Sequence, residues 1–169
     1  MKLSDKEIAY YKEKEHNARE NLKKIDGWMR HWHLANLSNA IYEQRRYKAS
    51  LKPIEQAFML APNCPYVLWN YAGTLRMLGR TEEAREIYRR LLQRGAKRIS
   101  KGKCGEGIKW CRSLVNDCRY MMALVSKSPR EAARWLRLHL KLRGKNTPSI
   151  FAYKEVKKEL DNLIQEYYK

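Results

Sequence analysis

The chain has 169 residues, with 36 Lys and Arg against 18 Asp and Glu, so its formal charge is +18. Because we find neither a secretory signal nor a run of about 20 apolar residues that would span a membrane, we expect one cytoplasmic domain over residues 1–169. The excess positive charge predicts an acidic partner and leaves open a carboxylate-rich protein, a nucleic acid or an anionic membrane surface.

The predicted elements are all helices, because apolar residues recur at spacings of three and four along most of the chain. In chain order they are an N-terminal helix (1–27), a helix pair (31–64), a second pair (65–95), a basic loop (96–107), a third, degenerate pair (108–144) and a C-terminal helix (147–169). Ser4 with Glu7 predicts a capped start for the N-terminal helix.

The first two helix pairs are related by a shift of 34 residues, which indicates a helical repeat. Matched positions keep their size or polarity: Leu34, Asn36, Ser38, Ile41, Ile54 and Ala57 fall on Leu68, Asn70, Ala72, Leu75, Tyr88 and Leu91. The turn inside each pair matches less well, because Gly79 falls opposite Arg45.

A third copy follows at a shift of 46 from the second pair for its first helix and 48 for its second. Leu68, Asn70, Ala72, Leu75 and Leu78 then fall on Leu114, Asn116, Cys118, Met121 and Leu124. Ser128, Pro129 and Glu131 predict an N-cap, a first-turn proline and a capping box for the second helix. Gly144 is placed to end that helix, and Gly95 to end the helix before the basic loop.

The C-terminal helix carries one apolar stripe, which we expect to cover the open end of the stack. The stripe consists of Ile150, Val156, Leu160, Leu163 and Tyr167.

The second pair begins with the join LAPNCPY and then has small residues at Ala72 and Gly73. Gly79 follows at the turn, and Ala84 and Tyr88 lie in the second helix. In these features the chain resembles the tetratricopeptide repeat family. The resemblance implies a right-handed superhelix of antiparallel helix pairs, here with extra N- and C-terminal helices, whose first helices line a concave groove that binds a peptide or a partner helix.

The family's groove positions, carried onto this chain, imply a surface that is aromatic at one end and basic at the other. These positions are Trp32, Asn36, Asn39, Tyr42, Tyr66, Trp69, Asn70, Gly73, Arg76, Arg112, Asn116, Arg119 and Met122. One subgroup clamps the C-terminal carboxylate of its partner, and Asn36, Asn70 and Arg112 match part of that clamp. Trp32 and Asn116 stand where the subgroup has cations, so the implied clamp is partial.

Two interpretations remain open for the polar and aromatic groove residues. Asn36, Asn70 and Asn116 either hydrogen-bond a peptide backbone or bond a neighbouring turn or water. The aromatic rings of Trp32, Tyr66 and Trp69 either anchor a ligand or pack within the fold.

A second set of residues is cationic and predicts contact with phosphates as an alternative function. It consists of Lys97, Arg98, Lys101 and Lys103 in the basic loop, and Arg130, Arg134, Arg137 and Lys141 along one helix stripe. The alternative interpretation of the stripe is a solvated face of a very basic protein.

Catalytic and metal chemistry have little support in the sequence. The cysteines Cys64, Cys104, Cys111 and Cys118 form no CxxC pair, and their spacings with the histidines match no zinc pattern. No nucleophile setting or phosphate-binding glycine loop is found, so we expect no enzyme, cofactor or metal.

The sequence therefore predicts a protein-interaction module for an acidic or C-terminal segment, with nucleic-acid binding as the alternative and a secretion-type chaperone as a remote one. It does not specify the oligomeric state.

Overall fold

The computed structural model describes residues 3–104 and 106–167, and these form eight α-helices and no β-strand. The helices are α1 (Asp5–Lys24), α2 (Arg30–Glu43), α3 (Tyr47–Leu60), α4 (Pro65–Met77), α5 (Thr81–Ser100), α6 (Ile108–Leu124), α7 (Pro129–Lys141) and α8 (Tyr153–Tyr167). The all-helical prediction is therefore confirmed. Residues 1, 2, 105, 168 and 169, which belong to the predicted end helices and basic loop, lie outside the described part. None of the described helices is long and apolar enough to cross a membrane.

The chain divides into two compact units, unit 1 (Met1–Glu83) and unit 2 (Ala84–Lys169). The division falls inside the second predicted helix pair, near the start of α5. The prediction of a single domain therefore stays a prediction.

Unit 1 is built by α1 packing on α2, α2 on α3, and α4 on both α2 and α3. This packing of neighbouring helices is consistent with a helical repeat. The positions matched by the 34-residue shift share their burial: Leu34, Ser38 and Ile41 are buried in α2, as Leu68, Ala72 and Leu75 are in α4.

The turns that end α2 and α4 have the same hydrogen bonds. Arg45 N–H donates to Tyr42 O at 2.7 Å and Arg46 N–H to Ile41 O at 3.3 Å. In the second turn Gly79 N–H donates to Arg76 O at 3.1 Å and Arg80 N–H to Leu75 O at 2.9 Å. This pattern closes a helix when one residue adopts positive φ, and φ is 61° at Arg45 and 77° at Gly79. The two turns therefore have the same backbone shape although their residues differ. Arg45 occupies a position at which positive φ favours glycine.

Replacing Arg45 with glycine should stabilise the protein by about 0.5–1 kcal/mol, because glycine removes a left-handed strain of about 1–2 kcal/mol and loses part of that gain as chain entropy. Gly79→Ala should cost about 1 kcal/mol through backbone strain alone, since an added Cβ meets no atom within 4 Å. Thermal unfolding followed by circular dichroism measures both. Arg45→Ala removes the same side chain and keeps the strain, so a gain with alanine equal to that with glycine would contradict this explanation.

The N-terminal helix α1 is fixed at its start and near its middle. The predicted capping box is confirmed: Glu7 N–H donates to Ser4 Oγ at 3.3 Å and Ser4 N–H to Glu7 Oε2 at 2.8 Å. Buried Glu15 accepts from Arg19 at 2.7 Å, from Gln44 at 2.8 Å and from Arg46 at 2.7 Å. These bonds tie α1 to the turn after α2.

Unit 2 contains α6 packed on α7 and α7 packed on α8. Glu131 N–H donates to Ser128 Oγ at 3.3 Å, which confirms the N-cap of α7. The full capping box is wrong, because the Glu131 carboxylate bonds Arg85 and the N–H of Lys127 instead of returning to Ser128. Gly144 does not end α7, which stops at Lys141.

The predicted basic loop and C-terminal helix both need correction at their first residues. Gly95, with φ 66° and ψ 159°, interrupts the helical backbone as predicted, but residues 96–100 are helical again, so the loop begins later. The C-terminal helix begins at Tyr153 rather than residue 147. Val156 and Leu160 of its stripe are buried, whereas Ile150 is 73% exposed and Tyr167 is 55% exposed.

Candidate binding cleft

Unit 1 contains a cleft of about 410 Å³ between α1 and α2. Its walls combine aromatic rings, side-chain amides and a single ammonium group. The lining residues are Tyr10, Tyr11, Lys14, Asn17, Ala18, Asn21, Trp32, His33, Asn36, Asn39 and Ala40.

The α1 wall carries Tyr10, Lys14, Asn17 and Asn21, whose spacing of four, three and four places them on one helix face. The Lys14 Nζ atom lies 5.2 Å from the centroid of the Tyr10 ring. The ring of Tyr11 meets that of Tyr10 edge-on, with centroids 5.2 Å apart. The amides of Asn17 and Asn21 make no hydrogen bond to a described residue, so they are open to a ligand.

The α2 wall is formed by Trp32, His33, Asn36 and Asn39. Trp32 is 41% exposed, and its ring stands edge-on to that of His33 with centroids 5.1 Å apart. Asn36 Oδ1 accepts from the hydroxyl of Tyr66 on α4 at 2.8 Å. This bond fixes the Asn36 amide, whose Nδ2 group donates to no described residue and stays available.

Hydrogen bonds to the buried carboxylate of Glu15 hold the two walls together, because they link α1 to Gln44 and Arg46 beyond the end of α2. Burial alone would raise the pKa of Glu15, but hydrogen bonds from Arg19 and Gln44 and the charge of Arg46 outweigh it and lower the pKa. Glu15 therefore stays ionised below the usual range of a glutamate, and the tie persists in mildly acidic solution.

Three of the residues predicted for the groove, Trp32, Asn36 and Asn39, thus line one cleft. The predicted α4 residues do not line this cleft. Asn70 Nδ2 donates to the backbone oxygen of Tyr66 at 2.9 Å, as expected if the amide serves a local turn.

Tyr42 and Arg76 form a second half-buried contact inside unit 1. Burial raises the pKa of Tyr42, and the nearby charge of Arg76 opposes that rise. Trp69 is half-buried on α4, and neither Trp69 nor this pair lines the cleft.

Two of the four predicted groove residues of unit 2 are buried, which corrects the sequence interpretation for those two. Asn116 is 0% exposed and Met122 is 2% exposed, so neither presents its side chain to a ligand. Arg119 is half-buried and donates to the backbone oxygen of Val115 at 3.1 Å. Only Arg112 of this predicted group is exposed.

The predicted phosphate-contacting residues are all exposed. Lys97 and Arg98 lie on the short helical segment after Gly95, and Lys101 and Lys103 lie in the following turn. The other four, Arg130, Arg134, Arg137 and Lys141, lie along the solvent side of α7.

Sequence reasoning missed the α1 wall, since α1 lies outside the repeat register. A signal was nevertheless present: Tyr10, Lys14, Asn17 and Asn21 form a mainly uncharged stripe on a helix otherwise rich in charge. An uncharged polar and aromatic stripe on such a helix indicates a face that meets something other than bulk water.

No protein-family model matches this sequence, and a search of curated proteins finds no match.

Proposed function

We propose that this chain is a non-catalytic protein-interaction module of tetratricopeptide type, and that its α1–α2 cleft binds an extended, acidic segment of a partner protein. The observation that carries the proposal is the cleft's composition: several aromatic rings, open amides and one ammonium group, with no carboxylate among the lining residues. On this proposal the helix pairs belong to a right-handed superhelix.

The amides suit an extended peptide because each offers both a donor and an acceptor to a peptide backbone. Asn17, Asn21 and Asn39 supply these groups from both walls, and Asn36 is held in place by Tyr66. A backbone bound in this way needs no particular side-chain sequence, so the rest of the cleft must supply selectivity.

Selectivity would come from the aromatic rings and from charge. Trp32 offers an exposed indole, the side chain most enriched among residues that dominate binding energy. Lys14 would pair with a carboxylate of the partner, and the formal charge of +18 would attract acidic segments over a longer range.

The test is selection of peptides from a random displayed library, followed by fluorescence anisotropy with the recovered peptides. We expect enrichment of Asp and Glu. Trp32→Ala should weaken binding about 30-fold, the loss of about 2 kcal/mol typical of a dominant aromatic contact. Lys14→Glu should weaken binding of the acidic peptides and reduce its dependence on salt.

Met59→Ala is the matched control, because Met59 is 81% exposed in the same unit and lies outside the cleft. It should leave the affinity unchanged. The proposal would be rejected if Met59→Ala and Trp32→Ala weakened binding equally, or if the recovered peptides showed no acidic preference.

A further inference from the structure

Four cations form a continuous ridge on α7 in unit 2, hereafter the α7 ridge. They are Arg130, Arg134, Arg137 and Lys141, and all four are exposed. Their spacing of four, three and four residues keeps them within one narrow stripe. The opposite side of α7 is buried at Ala133, Leu136 and His139, so packing fixes the direction in which the ridge faces.

No acidic residue in the described part of the chain pairs with the α7 ridge. None of its four cations forms an ion pair with any residue that the structure describes. The one acid of α7, Glu131, bonds Arg85, the N–H of Lys127 and, at 3.4 Å, the indole N–H of Trp135. Like charges three and four residues apart destabilise a helix, so this arrangement costs stability that no ion pair with residues 3–104 or 106–167 offsets.

We infer that the α7 ridge binds the phosphate backbone of duplex nucleic acid. From Arg130 to Lys141 the ridge extends over roughly 16 Å at the helical rise of about 1.5 Å per residue. That length faces several successive phosphates, which recur about every 3.4 Å along each strand of a duplex. Three of the four cations are arginines, whose planar groups bind phosphate oxygens in pairs.

The chemistry of α7 favours a duplex over a single strand. Its solvent stripe presents no aromatic ring for stacking with bases, since Trp135 is half-buried and bonded to Glu131. The stripe also has no Asn, Gln, Ser or Thr to contact base edges or a 2′-hydroxyl. The ridge therefore recognises charge and spacing, and duplex DNA and duplex RNA should bind with similar affinity.

Other acidic partners fit the α7 ridge less well. A membrane surface binds a helix most strongly when an apolar helix face can insert, and Ala133 and Leu136 of α7 are buried in unit 2 instead. An acidic peptide on a flat exposed row would form isolated surface ion pairs, which contribute little. A duplex instead releases its condensed counterions when cations approach its phosphates, which provides a large favourable term.

Fluorescence anisotropy with a labelled DNA duplex of mixed sequence tests this inference with the full chain. Between about 50 and 200 mM KCl we expect the logarithm of the affinity to fall against the logarithm of salt with a slope of about −3.6, the value for four neutralised phosphates. Arg130→Gln/Arg134→Gln should bind more weakly and reduce the slope to about −1.8. Arg137→Gln/Lys141→Gln removes the other half of the ridge and should give the same reduction.

The matched control is Lys154→Gln/Lys158→Gln. These lysines are exposed on α8 of the same unit, have the same spacing of four residues and form no ion pair with a described residue. The two substitutions remove as much charge as each ridge variant does, but outside the α7 ridge. The slope should therefore stay near −3.6. Circular dichroism of every variant must show unchanged helicity.

Three results would overturn the inference: no duplex binding at low salt, an unchanged slope in both ridge variants, or an equal loss in the α8 control. Polyglutamate should compete at least about tenfold less well than duplex of equal charge, and equal competition would assign the ridge to acidic protein instead. Trp32→Ala should bind duplex normally. Peptide binding tests the cleft proposal and duplex binding tests this inference, so the failure of one can be distinguished from the failure of the other.

Discussion

Replacing His139 with alanine is expected to lower the free energy of unfolding by about 3 kcal/mol. The ring is 0% exposed and packs beside Tyr120, with centroids 5.8 Å apart, and Phe151, with centroids 6.3 Å apart. Its removal leaves a cavity that these neighbours fill only in part. It also removes a buried hydrogen bond, since His139 Nδ1 donates to the backbone oxygen of Asn116 at 2.9 Å. Urea unfolding followed by circular dichroism measures the loss.

The same residue should make stability depend on pH. Burial lowers the pKa of His139 most strongly, and the charges of Arg143 and Arg119 add to this, while the bond to Asn116 and the charge of Asp117 oppose it. The unfolded chain therefore takes up the proton first. The contribution of neutral His139 to the free energy of unfolding is complete above the usual histidine pKa of about 6.5. It is lost as the pH falls below that value, and the free energy of unfolding then decreases by at most about 1.4 kcal/mol per pH unit.

Buried Asp117 has the opposite effect at lower pH. Burial raises its pKa, despite hydrogen bonds from Ser149 and the N–H of Ile150, so the folded state binds that proton more readily. Its contribution to stability therefore rises as pH falls below the raised value. For this reason the histidine effect is best measured between about pH 7.5 and 5.5.

His139→Gln is the informative variant, because it keeps a polar side chain of similar size and cannot titrate. The difference in stability between the protein and this variant should shrink as pH falls through this range. The remaining histidines are present in both proteins and cancel in the comparison. A pH slope identical in both would contradict the role assigned to His139.

The pair of Asn116 and His139 also explains why the alignment of the repeats wrongly predicted Asn116 as a groove residue. The shift of 46 places Asn116 opposite Asn70, which is half-buried, yet Asn116 is fully buried. The shift of 48 places His139 opposite Leu91, a core position. A polar ring at a core position needs a polar partner, and the backbone oxygen of Asn116 provides one by accepting from His139 Nδ1 at 2.9 Å. In return, the Asn116 side-chain amide donates to the His139 backbone oxygen at 3.1 Å. The histidine in place of Leu91 was visible in the sequence, but its pairing with Asn116 required the distance between α6 and α7.

The helices themselves were predictable because they depend on local patterns. The spacing of apolar residues predicted the approximate positions of the eight helices. The capping residues Ser4 and Ser128 predicted where two of them begin. The cleft was only half predictable. Trp32, Asn36 and Asn39 follow from the resemblance to tetratricopeptide repeats, whereas Tyr10 and its neighbours on α1 depend on how a helix outside the repeat packs on α2.

Replacing Leu68 with alanine is also expected to lower the free energy of unfolding by about 3 kcal/mol. Leu68 is 0% exposed on α4, which packs against both α2 and α3. Because helices on two sides hold the site open, the cavity left by the missing methyl groups cannot collapse. The loss therefore includes a cavity cost beyond the transfer of the side chain to water. Urea unfolding measures it.

Leu60→Ala is the matched control, since it makes the same chemical change on α3 of the same unit at a side chain that is 55% exposed. Its cost should stay within about 0.5 kcal/mol, the usual range for surface substitutions. Equal losses at Leu60 and Leu68 would mean that helix propensity, rather than burial between α2, α3 and α4, sets the cost. A large loss at Leu68 alone would place the core of unit 1 at the positions that the 34-residue shift matches, because Leu34 is the counterpart of Leu68.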